Sequence, residues 1–171
     1  NTSEYLFQES LASAYQRYQA KELDLTWIPV EQIPHIQKNT PSVLLVVPRL
    51  TTEFYTFNVA KPPFDNEKVR KALYLTLDRP LIAEHIIGLR KPAATLTPPE
   101  VDGFNAPNIV ELSQPLTERV EQAKKLLNDA GYNEKHPLQF EIFYNKYATH
   151  EKVALALASE WKKQLGADVK L

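Results

Sequence analysis

The 171-residue chain is 43% hydrophobic, enough for a packed core without disulfides or metals, and long enough for one domain or parts of two. Its net charge is −1, with basic and acidic residues interspersed, which argues against a phosphate-tracking surface and so against a nucleic-acid partner. Without cysteine there is no disulfide framework, thiolate zinc site or thiol nucleophile, a usage that fits export without demonstrating it. The chain begins at Asn1, holds no methionine, and stops inside the strand-like alternation Ala167 to Leu171, so a processed protein or a fragment cut at both ends is expected.

In chain order, Leu11, Ala14, Tyr15 and Tyr18 recur at helical spacing and predict a helix over 10–22. Leu23 to Ile28 alternates as a strand ended by Pro29, and Val30 to Lys38 reads as a short helix bent or restarted at Pro34. Val43 to Val47 is the longest apolar run, about a quarter of a membrane span, and reads as a buried strand. Thr51 to Val59, rich in aromatic and β-branched residues, reads as another strand, with Pro48-Arg49-Leu50 as a crossing between domains.

Asp65 is the expected N-cap of a helix whose Val69, Ala72, Leu73 and Leu77 form one apolar face. Asp78 caps a second short helix that Gly88 ends as a left-handed stop. Residues 89–116 are proline-rich and aperiodic, a loop that is either functional or tightly packed. Thr117 then caps a helix through Ala130, Leu138 to Tyr144 alternates as a strand, and Thr149 caps a last helix in which Val153, Leu157 and Trp161 mark the buried face, stopped by Gly166. Strand and helix alternating in this way give the α/β class.

The run Asn58-Val59-Ala60-Lys61-Pro62-Pro63-Phe64-Asp65, continued by Val69-Arg70-Lys71-Ala72-Leu73 and closed by Asp78-Arg79, resembles the signature of the extracytoplasmic solute-binding proteins of family 5, the peptide-binding proteins of ABC transporters. Thr97-Pro98-Pro99 with Asp102-Gly103 resembles a further family loop. Ala123 to Leu127 with Ala130-Gly131-Tyr132 resembles a family helix end, and Phe143-Tyr144-Asn145 with His150 resembles the strand and helix that follow. The likeness runs in order over about 50–171 and is looser before that.

The resemblance implies a periplasmic-binding-protein-like lobe, a mixed sheet flanked by helices. Residues 1–50 would be the end of a first lobe entering the hinge, and 51–171 a second large lobe truncated at its C-terminus. The parent would capture short peptides outside the cytoplasmic membrane by lobe closure. It would deliver them to the permease subunits of an ABC importer, act as a monomer and need no cofactor. The location implied is periplasmic or otherwise extracytoplasmic, with lipid anchoring left open. The family segment that carries an Asp for the ligand amino group and an Arg for its carboxylate has no counterpart here.

Two residues carry over with a physical rationale. His150, in the first turn of a helix, would sit at a natural anion site for a peptide carboxylate; the alternative is a surface histidine at a helix start. Asn145, just past the strand, would bond a ligand main chain, or is an ordinary loop asparagine. The family's tyrosines along the strand entering this lobe are replaced by Arg49-Leu50-Thr51-Thr52-Glu53-Phe54-Tyr55. Phe54 would pack a ligand side chain, and Arg49 is either a charge near the pocket or part of a hinge salt bridge.

No phosphate loop, nucleophile elbow or zinc motif occurs, and no enzyme is expected. His150 and Glu151, about 100° apart on a helix, make a poor metal pair. His85 reads as a core or boundary histidine, and Lys68, Arg70 and Lys71 as a solvated face. The rival to transport is a sensor or regulatory protein built on the same lobe; within transport, haem, a metal chelate, a sugar or a dipeptide remain alternative ligands.

Overall fold

In a computed structural model of the protein, which describes residues 2–47, 49–147 and 149–171, the chain divides into two units, 1–47 and 48–171. Pro48 of the expected domain crossing lies outside the described residues.

In the first unit, Ser10 Oγ accepts from the Ser13 amide and starts α1 (Leu11–Gln19), which buries Ala14. The helix stops short of the expected residue 22 because Lys21 takes a positive φ of 62°. A 3-10 turn (Val30–Gln32) leads into α2 (Ile33–Asn39), where Pro34 sits in the first turn, the place where a missing N–H costs nothing. Neither predicted strand of this unit forms. Residues 23–28 have no regular structure and leave Leu25 and Trp27 exposed; Pro41–Val43 is a 3-10 turn, followed by exposed Leu45, Val46 and Val47. A strand needs a neighbour to take its backbone hydrogen bonds, and no described residue pairs with either segment.

The second unit also lacks the strand expected at 51–59, for the same reason. One end of that segment is nevertheless anchored, since the Phe57 ring packs 5.0 Å from Phe64, which meets Phe140 edge-on at 5.2 Å. Helix α3 (Glu67–Leu75) is capped by Asn66, whose Oδ1 accepts from the Lys68 amide at 2.9 Å. The cap is thus one residue later than Asp65, whose carbonyl instead accepts from Arg70. Val69, Ala72, Leu73 and Leu75 are fully buried, with Leu77 partly so.

Asp78 caps the single turn α4 (Arg79–Leu81), which continues as a π-helical stretch over Ile82–Ile87. Gly88 ends it at φ 74° and ψ 138°, a positive φ but not the left-handed helical conformation expected. The loop beyond holds one turn, α5 (Val110–Ser113), and is tied down where Tyr74 donates to the Ala94 carbonyl. Helix α6 (Leu116–Asp129) begins after Pro115 with no side-chain cap, so Thr117 lies inside it. What fixes its start is Arg119, 8% exposed, which donates to the carbonyls of Leu75, Leu77 and Gln114.

Strand β1 (Gln139–Glu141), helix α7 (His150–Leu165) and strand β2 (Asp168–Lys170) form a β-α-β unit. The strands pair in parallel, Phe140 opposite Val169, and are the sheet among the described residues, where a mixed sheet is implied by the resemblance. Gly166, left-handed at φ 69° and ψ 19°, turns the chain back from α7 as expected. Val153, Ala154, Leu157 and Trp161 face the core, and Trp161 meets Phe140 at 5.4 Å. The result is an α/β lobe with α3, α6 and α7 around one core.

Candidate ligand-binding site

The β-α-β unit brings the chain off the carboxyl end of β1 and into the first turn of α7. In open α/β sheets this is where ligands are held. Between the two, Tyr147 N–H donates to the Asn145 carbonyl at 2.8 Å, and His150 N–H donates to the Tyr147 carbonyl at 2.9 Å. These turns bring Asn145 Oδ1 to 2.6 Å from His150 Nδ1. The Tyr147 ring lies tilted beside the imidazole at 5.3 Å. Phe143 and Tyr147 are exposed, at 87% and 62%.

Thr149, expected to cap α7, precedes it without a side-chain hydrogen bond. It is itself in a right-handed helical conformation, φ −90° and ψ −6°, whereas a capping side chain works from extended backbone. His150 is therefore the first helical residue, and its ring is oriented by Asn145 rather than by a cap.

The opposite nitrogen, His150 Nε2, faces Glu53 Oε1 at 3.9 Å. Glu53 also acts on its neighbour Tyr55: burial chiefly, then the Glu53 carboxylate and Tyr144, push the Tyr55 phenol above its ordinary value. Phe54 is 58% exposed. Arg49 is exposed as well, and its guanidinium forms no hydrogen bond or ion pair among the described residues. Of the four residues singled out in the sequence, Asn145 and His150 are brought into contact; Phe54 is next to Glu53 in the chain, and Arg49 stands apart from these contacts.

Glu53 and Tyr147 are the residues the sequence reading missed. The signal for Glu53 was present, a lone charge in the Thr and aromatic run from Thr51 to Phe57. No group of three or more His, Cys, Asp or Glu among the described residues is placed to hold a metal ion. No helix among them is long and apolar enough to cross a membrane. A separate open depression of about 310 Å³, lined by Pro62, Pro63, Tyr132, His136, Pro137 and Gln139, shares no residue with the His150 cluster.

Comparison with known proteins adds a family and several relatives. Residues 4–171 match the middle part of the bacterial extracellular solute-binding proteins, family 5. The chain is 58% identical over 168 residues to the probable deoxycholate-binding periplasmic protein YgiS of Escherichia coli, covering 98% of this chain and 31% of the relative. Among solved structures, the murein tripeptide binding protein MppA of Escherichia coli superposes with a TM-score of 0.86 at 38% identity, covering 93% of this chain and 32% of that one. Haemophilus influenzae OppA in complex with the peptide RPPGFSPFR superposes with a TM-score of 0.82 at 37% identity, covering 94% of this chain and 33% of that one. The chain thus spans about a third of the length of the relatives it matches.

Proposed function

The chain belongs to the bacterial extracellular solute-binding proteins, family 5, and from that premise we propose that the protein it forms part of captures short peptides outside the cytoplasmic membrane for an ABC importer. The observation that carries the reading is the Asn145–His150–Glu53 cluster at the carboxyl end of β1. It is a fixed polar point beside exposed Phe143, Tyr147 and Phe54. Ligand sites of this kind pair an apolar surface with a few placed polar groups. The likeness to MppA and to OppA holding a peptide supports the same ligand class.

In this reading Asn145 spends Oδ1 on His150 and offers its Nδ2 hydrogens to a ligand carbonyl. Phe54 and the neighbouring rings take ligand side chains, and exposed Arg49 supplies positive charge for a ligand carboxylate. Residues 1–50 end one lobe and enter the hinge, and 51–171 form most of the next; the division of the chain at 47 and 48 supports this arrangement. The whole protein acts as a monomer, closing on its ligand and passing it unchanged to the permease, so no bond is made or broken.

A second reading has its own support. YgiS, at 58% identity, is named for a rigid amphipathic acid and not for a peptide. Exposed aromatic rings beside a hydrogen-bonding cluster suit the flat apolar face of such a molecule too.

The test is mass spectrometry of ligands released by denaturing the full-length protein after purification. A ladder of short peptide masses supports peptide capture. A single steroid-acid mass, or a pocket that no peptide mixture fills, overturns it in favour of the second reading.

A further inference from the structure

We propose that Glu53 and His150 form an acceptor pair that takes an ammonium group of the bound ligand. This deepens the peptide reading and rests on it. The 2.6 Å contact with Asn145 Oδ1, an acceptor, requires the proton of the imidazole to sit on Nδ1. In the neutral ring, Nε2 is then a bare lone pair, and it faces the carboxylate oxygen of Glu53 at 3.9 Å. That distance is too long for a hydrogen bond between the two.

A single donor atom fits the gap. Placed at an ordinary hydrogen-bond length of about 2.8 Å from each acceptor, it sees them at an angle of about 90°, close enough to the tetrahedral spread of an ammonium's N–H bonds to serve both. A hydroxyl has one hydrogen and would leave one acceptor facing its lone pair. A carboxylate would meet the Glu53 charge at contact distance, a repulsion that solvent at this exposed position reduces but does not remove. The pair therefore reverses the charge preference expected from a histidine at a helix start, and moves any ligand carboxylate elsewhere, for which exposed Arg49 is available.

Two measurements on the full-length protein test the proposal. The first needs no ligand: ¹⁵N spectra of ring-labelled histidine at about pH 8, where an ordinary histidine is neutral, with the signal assigned by His150→Gln. The proposal expects a proton on Nδ1 alone; an Nε2–H ring, neutral or cationic, overturns it. The second is calorimetric titration with Ala-Ala-Ala, Ala-Lys-Ala and N-acetyl-Ala-Lys-Ala, on wild type and Glu53→Gln.

Glu53→Gln is expected to weaken Ala-Lys-Ala by roughly tenfold to a hundredfold, the range carried by a hydrogen bond to a charged group. If the lysine ammonium is the one bound, the acetylated peptide loses as much and Ala-Ala-Ala loses little. If the peptide amino terminus is the one bound, both free-amine peptides lose and the acetylated one binds poorly from the start. Equal affinities for all three in wild type and variant overturn the ammonium proposal alone. A wild type that binds none of them removes the peptide reading and this proposal with it.

Discussion

The indole Nε1 of Trp161 donates to the carbonyl oxygen of Leu73 at 3.0 Å, joining α7 to α3 through the centre of the core. The ring is 4% exposed and packs on Phe140, so it acts both as filler and as a directional tie. Trp161→Phe keeps most of the volume and leaves the Leu73 carbonyl with only its 3.2 Å contact to Thr76. We expect a loss of about 1–3 kcal/mol in urea unfolding of the full-length protein. Trp161→Ala adds a cavity and is expected to cost about 3–5 kcal/mol. A negligible loss for Trp161→Phe beside a full loss for Trp161→Ala would show that packing alone matters and the hydrogen bond does not.

Arg119 carries a comparable weight by another route. It is nearly buried, and its guanidinium satisfies the Leu75 and Leu77 carbonyls at the end of α3 and the Gln114 carbonyl before α6. A helix end leaves carbonyls without intrahelical partners, and here one side chain from another helix supplies the donors. Arg119→Met retains the apolar stem and strands those oxygens, at an expected cost of about 3 kcal/mol. Arg119→Lys, with donors but no planar fork, is expected to recover only part of it. Chemical denaturation of the two variants side by side checks the order.

The contrast between these two residues shows what the sequence disclosed. Trp161 fell on the predicted buried face of α7, because helical spacing reports which side of an element is apolar. Arg119 did not stand out, since its partners lie on another helix and no local pattern encodes a carbonyl that needs a donor. Asp78 and Gly166 were legible as cap and stop because that chemistry is local. Asp65 was misplaced by one residue because Asn66 is as good a cap. The strands predicted at 23–28, 43–47 and 51–59 failed together for one reason. Alternation marks a segment fit for a sheet, but pairing is set by neighbours, and none is present among the described residues. At the site, motif likeness led to Asn145 and His150, whereas Glu53 required the fold that sets residue 53 against the start of α7.

Acid affects a surface tie in the same unit. Lys71 Nζ lies 2.9 Å from Glu111 Oε1, joining α3 to α5, and its hydrogen bond holds the Glu111 carboxyl below the ordinary glutamate value. A carboxyl depressed in the folded state contributes stability above its unfolded value, and loses it as pH falls through the lower folded value. The pair is open to solvent, so the contribution is small and screened by salt. Carboxyl NMR is expected to show Glu111 titrating below ordinary glutamates, and Lys71→Met to return it upward. A midpoint unmoved by Lys71→Met would mean the tie does not hold in solution.

Asn145 offers a test that separates the site from the scaffold. Its side chain bonds His150 at the surface, away from the core cluster, so Asn145→Leu removes the hydrogen bond while preserving bulk. Thermal stability of the full-length protein is expected to stay within about 0.5 kcal/mol of wild type, as surface substitutions do. Ligand affinity is expected to fall about tenfold, because the imidazole is then free to rotate and its two nitrogens are no longer assigned. Adding His150→Ala to Asn145→Leu should cost less than His150→Ala does alone in wild type, since Asn145, besides its own Nδ2 bond to the ligand, acts through the ring it holds. Full additivity of the two losses would mean that Asn145 acts on the ligand through its Nδ2 alone and not through His150, and would leave the orientation of the imidazole to Tyr147 and Glu53.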